Sequence, residues 1–136
     1  MSEKNVIMVV DDNRDLVEIL KNILSAKGYE VHWAYSGKDL FALLNDHRPD
    51  LILLDIMMPE MDGLTVLAHL RGSPATSKIP VILLSAKNRI EDVLNGYGKG
   101  GDYYLSKPFT PTQLINGIEV VLGTEHNPQQ SKTPAP

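Results

Sequence analysis

Residues 51–63 read "LILLDIMMPEMDG": four apolar side chains run straight into Asp55, then into a loop holding a proline and a Met-Asp-Gly. A continuous apolar run of this length fits a strand covered on both faces, the kind that parallel sheets contain. Its end is costly. A carboxylate that closes a buried strand gives up hydration, and something must compensate its charge.

The same signal recurs on either side. "NVIMVV" (5–10) and "PVILL" (80–84) are continuous apolar runs, and "YEVHWAY" (29–35) and "DYYLS" (102–106) also read as strands. Between them lie helical patterns. Leu16, Ile19, Leu20, Ile23 and Leu24 form one stripe, with Gly28 placed to end it. Ser36 can cap a second helix carrying Leu40, Phe41, Leu43 and Leu44. Leu64, Leu67 and Leu70 mark a third. Ile90, Val93, Leu94 and Tyr97 mark a fourth, whose end "NGYGKGGD" is glycine-dense. Leu114, Ile115, Ile118, Val121 and Leu122 mark a fifth. Five strands alternating with five helices predict an α/β fold, a doubly wound parallel sheet with helices on both faces. One domain over residues 1–123 is expected. The polar, proline-rich "TEHNPQQSKTPAP" (124–136) cannot build a core and reads as a disordered tail or linker.

Composition narrows the function. The net charge of −4 disfavours direct nucleic-acid binding and an anionic membrane surface. Without cysteine there is no thiolate metal site and no Cys nucleophile. No stretch is long and apolar enough to span a membrane, so a cytoplasmic location is expected.

The strand ends carry the chemistry. The first run ends in Asp11-Asp12, the third in Asp55, the fourth in Ser85 and the fifth in Lys107. In a parallel sheet these ends share one edge, where ligands of open α/β sheets bind. A common five-strand order is 2-1-3-4-5, an order taken from known sheets of this kind. In it the three aspartates converge, with Ser85 one strand and Lys107 two strands from Asp55. Three close carboxylates need a cation. Mg²⁺ suits them, because it takes hard oxygen ligands and couples readily to phosphate. A carboxylate can also attack phosphorus and form an aspartyl phosphate. Asp55 is therefore a candidate phosphoacceptor, with Lys107 and Ser85 placed to meet a phosphoryl group.

The segments "VVDDN" (9–13), "LLDIMMPEMDG" (53–63), "LLSA" (83–86) and "YLSKPF" (104–109) together resemble the receiver domain of response regulators in two-component signalling. The likeness covers roughly residues 4 to 122. It implies a flavodoxin-like sheet of order 2-1-3-4-5 and phosphorylation of Asp55 by a sensor histidine kinase or phosphotransfer protein. It implies Mg²⁺ held by Asp11, Asp12, Asp55 and the Met57 backbone carbonyl. It further implies phosphoryl contacts from Ser85 and Lys107, a Ser85–Tyr104 switch, and a cis Lys107–Pro108 bond. The surface of the fourth helix, fifth strand and fifth helix would then change for an output domain, a partner protein or a second copy of the chain. A receiver is not an enzyme in the usual sense; it catalyses only its own phosphorylation and dephosphorylation.

Simpler readings compete. Aspartates at strand ends can cap the next helix, as Asp12 could. "PEMDG" reads as a turn with Gly63 free to take positive φ. His32, His47, His69 and His126 are scattered, without the close pairing a zinc site would show. A Mg²⁺-dependent aspartate-nucleophile phosphohydrolase would need a second acid two residues after Asp55, where Met57 stands. A dinucleotide-binding module would need a glycine-rich turn where "VVDDNRD" lies.

Overall fold

The computed structural model describes residues 4–86 and 100–123. Five strands, β1 (Val6–Val10), β2 (Glu30–Ala34), β3 (Leu51–Asp55), β4 (Val81–Ala86) and β5 (Tyr103–Lys107), form one sheet. All neighbours are parallel and the order is β2-β1-β3-β4-β5. Four helices are described: α1 (Arg14–Ala26), α2 (Gly37–Leu44), α3 (Gly63–Arg71) and α4 (Pro111–Leu122). The fourth helix expected from sequence falls at residues 87–99, outside the described residues, as does the 124–136 segment. Among the described residues no helix is long and apolar enough to cross a membrane.

The apolar runs are continuous because both sheet faces are covered. Successive side chains alternate between the two faces. Ile7, Val9, Leu51, Leu53, Ile82 and Leu84 pack with Val17, Leu20 and Leu24 of α1 and Leu114 and Ile118 of α4. Met8, Val10, Ile52, Leu54, Val81 and Leu83 pack with Leu40 of α2 and Val66, Leu67 and Leu70 of α3. All five residues of β3, the central strand, are buried. A one-residue slip of β3 would therefore exchange the two cores and move Asp55 away from its neighbours.

The helix ends follow ordinary capping chemistry. Asn13, Ser36 and Asp62 accept backbone N–H bonds at the starts of α1, α2 and α3. Thr110 and Gln113 make a reciprocal capping box on α4, with Pro111 in its first turn. Asn13, not Asp12, caps α1. That leaves the Asp12 carboxylate uncommitted to the helix. At the opposite edge of the sheet, Arg71 donates to the carbonyls of Ser77, Ile79 and Gly100 and pairs with Asp102 at 2.9 Å. Asp102 also accepts the Val81 N–H. This one guanidinium thus ties the starts of β4 and β5 to α3.

Trp33, for which the sequence suggests no role, sits on the edge strand β2 with Lys21 of α1 3.6 Å above its ring. The lysine stem covers apolar surface while its charge meets the ring face, a contact worth roughly 0.5–1 kcal/mol at an exposed site.

Candidate functional site

Asp11 and Asp12 follow β1, and Asp55 ends β3, the strand paired beside it. The strand register holds Asp55 opposite Leu84, and Ala86 opposite Lys107. Asp11 and Asp55 are buried and Asp12 is exposed. Each of the three offers a carboxylate oxygen, and these oxygens lie within 4.8 Å of one another. The Lys107 ammonium reaches across β4 to bond Asp11 at 2.9 Å and Asp55 at 3.2 Å. Its peptide bond to Pro108 is cis.

The site carries more negative charge than one lysine can neutralise. Burial first, and then the Asp11 charge, raise the Asp55 pKa from 3.8 to about 6, against the opposing pull of Lys107 and a Met57 backbone hydrogen bond. Burial works against the Lys107 charge too. Its bond to Asp11 and the charges of both aspartates outweigh that, and its pKa rises above the ordinary 10.5. Oxygen donors only, clustered and in excess of their counter-charge, are the donor set of a hard dication, so the residues fit Mg²⁺.

Ser85 adds an independent sign. Its hydroxyl is fully buried and has no hydrogen-bond partner among the described residues. Buried hydroxyls rarely stay unpaired without cause. A group entering the site beside Asp55 could supply the missing partner.

The loop after Asp55 is shaped by close contacts. Glu60 adopts φ 70°, with the Met61 N–H bonded to the Pro59 carbonyl at 2.7 Å, a tight γ-turn. Gly63 does not take positive φ as the sequence suggests; it is needed for room. A Cβ there would lie 2.8 Å from Ile56 Cα and nearer still to the Asp55 carbonyl. Gly63→Ala should therefore lower stability by about 2–3 kcal/mol, because backbone must shift to admit the methyl group. Urea unfolding measures this; a loss below about 0.5 kcal/mol would show that the loop yields freely.

Tyr104, on β5, packs half-buried against the core on the α2–α3 side, whereas Tyr103 and Leu105 face the other core. Met57 is half exposed, at the place where a phosphohydrolase would carry its second acid.

The sequence model of the response regulator receiver domain matches residues 7–119. The chain is 40% identical to the transcriptional regulatory protein CpxR of Klebsiella pneumoniae over 129 residues, 95% of this chain and 54% of that protein. It is 37% identical to the response regulator MprA of Mycobacterium tuberculosis over 85% of this chain and 50% of that one. Among solved structures, the receiver domain of Francisella response regulator 1452 superposes with a TM-score of 0.79 at 32% identity, covering 88% of this chain and 97% of that one. Vibrio cholerae chemotaxis protein CheY4 superposes with a TM-score of 0.83 at 27% identity, covering 88% and 99%. The chain belongs to the response regulator receiver domains, the phosphorylation-dependent signalling modules of two-component systems. It spans about half the length of the curated relatives it matches.

Proposed function

We propose that Asp55 accepts a phosphoryl group from the phosphohistidine of a sensor histidine kinase or phosphotransfer protein. An Asp55 carboxylate oxygen forms the new P–O bond as the P–N bond breaks, and the imidazole leaves with the electron pair and takes up a proton. Asp11, Asp12, Asp55 and the Met57 carbonyl would hold Mg²⁺, which would supply positive charge toward the phosphoryl oxygens. Lys107 neutralises the other side. The observation that carries this reading is the buried Asp55 carboxylate within bonding distance of a lysine and ringed by two further aspartates.

Ser85 donates its hydroxyl to a phosphoryl oxygen. Its inward movement opens space beside Tyr104, which turns inward and alters the surface around β5 and α4 for an output domain, a partner protein or a second copy. The same groups catalyse loss of the phosphate to water, so the domain times its own signal. The polar, proline-rich residues 124–136 are read as a linker.

The test is incubation with acetyl phosphate. Labelling, read as retarded migration on a phosphate-binding gel, should require Mg²⁺. Mg²⁺ alone should raise the melting temperature, with stabilisation of about 2.7 kcal/mol at a concentration one hundred times its Kd. Asp12→Ala should remove most of that shift. A melting temperature indifferent to Mg²⁺, together with labelling in its absence, would refute the metal assignment.

A further inference from the structure

Two of the histidines that look scattered in sequence meet in space. His32 lies on the edge strand β2, and His47 lies in the loop between α2 and β3. Their rings stack with centroids 4.1 Å apart and planes 31° apart. His32 Nε2 lies 2.8 Å from Glu30 Oε2. None of the three belongs to the phosphoacceptor site.

The Glu30 contact fixes which nitrogen of His32 is free. An ionised carboxylate only accepts hydrogen bonds, so Nε2 carries the proton. In the neutral ring the lone pair is then on Nδ1. A carboxylate behind an imidazole in this way is the usual backing of a metal-bound histidine; it holds the tautomer and the ring plane and raises the basicity of the free nitrogen. His47 is exposed on its loop, so its ring can turn. Imidazole nitrogens bind zinc at about 2.0–2.1 Å, so two ligand nitrogens need to stand about 3–3.5 Å apart. The rings are stacked with centroids 4.1 Å apart, so the exposed His47 ring must turn out of the stack to bring a nitrogen to that separation from His32 Nδ1.

From this geometry we propose that His32 and His47, backed by Glu30, form a surface site for a borderline transition-metal dication such as Zn²⁺ or Cu²⁺. Water completes the coordination. Imidazole donors prefer such ions to Mg²⁺, so the two metal chemistries of the domain stay separate. Occupancy would cross-link the free edge strand to the α2–β3 loop and so stabilise the outermost part of the sheet.

The experiment is Zn²⁺ titration of the full chain in excess Mg²⁺, followed by calorimetry and by NMR of the histidine side chains. One ion should bind in the micromolar range, moving the His32 and His47 imidazole signals together. His47→Ala should abolish this binding, and Glu30→Ala should weaken it about tenfold. His47→Gln provides a second variant of similar size at the same exposed position. The proposal is overturned if Zn²⁺ binds His47→Ala or His47→Gln as tightly as the unaltered chain. It is equally overturned if neither imidazole signal moves by about 1 mM Zn²⁺, where binding worth about 4 kcal/mol would already show.

Discussion

Asp55→Asn should abolish phosphorylation by acetyl phosphate or by any phosphohistidine donor, and should at the same time make the protein more stable. The first effect follows from loss of the nucleophilic oxygen charge. The second follows from burial. The folded-state pKa of Asp55 is about 6 against an ordinary 3.8. A shift of about 2 units, at 1.36 kcal/mol each, means that ionised Asp55 costs roughly 3 kcal/mol at neutral pH. Asparagine keeps the shape without the charge. Lys107 loses one of two partners, so the net gain should be about 2 kcal/mol. The folded state binds protons more tightly than the unfolded chain, so wild-type stability falls as pH rises from about 4 to about 6. The gain in the variant should therefore be full above pH 6 and vanish near pH 4. Urea unfolding across this range reads it directly. A variant that still takes up phosphate, or a stability difference flat with pH, would remove Asp55 from its assigned place.

Lys107→Ala should act in the opposite direction. Its ammonium bonds the Asp11 and Asp55 carboxylates, both almost fully buried. Removing it leaves two buried charges without that partner. Losses of about 3–5 kcal/mol are typical for fully buried pairs. Lys107 retains 27% of its side-chain exposure, so about 2 kcal/mol at pH 7 is the expected loss here. The Asp55 pKa should climb further without the lysine. Stability of the variant should then recover as pH falls towards 5, more steeply than in wild type, because protonating Asp55 relieves the repulsion. Added Mg²⁺ should restore part of the loss at pH 7. Phosphorylation should slow at least about tenfold, the effect of losing roughly 1.4 kcal/mol of charge stabilisation. Equal stability and the same pH slope in both proteins would show that Lys107 is solvated and that the aspartates find their counter-charge elsewhere.

The sheet was legible because its strands are buried on both faces. Four apolar residues before Asp55 leave little room for another reading. The site was legible for the same reason: polar residues that stop apolar runs stand out. Contacts between distant, weakly patterned residues were hidden. Nothing in sequence joins His32 to His47, Lys21 to Trp33, or Arg71 to Asp102. Each pair depends on how a helix or loop lies across the sheet. Backbone proximity was hidden too. Gly63 invites a positive φ, yet the strained φ falls on Glu60 and Gly63 is required where the chain passes Asp55. The capping of α1 by Asn13 was ambiguous because Asp12 beside it is an equally good cap.

The bond between Lys107 and Asp11 joins residues 96 positions apart. It exists only once β5 has docked beside β4, the far side of the sheet from β2. During synthesis the first aspartates emerge long before their lysine, and domains of this kind mature as the chain lengthens at about 5–20 residues per second. A nascent chain therefore carries Asp55 for several seconds before Lys107 can dock against it. If Asp55 takes the phosphoryl group as proposed, competence to receive a signal rises late, with the last strand, and an incomplete copy would respond only weakly to a phosphoryl donor it meets too early.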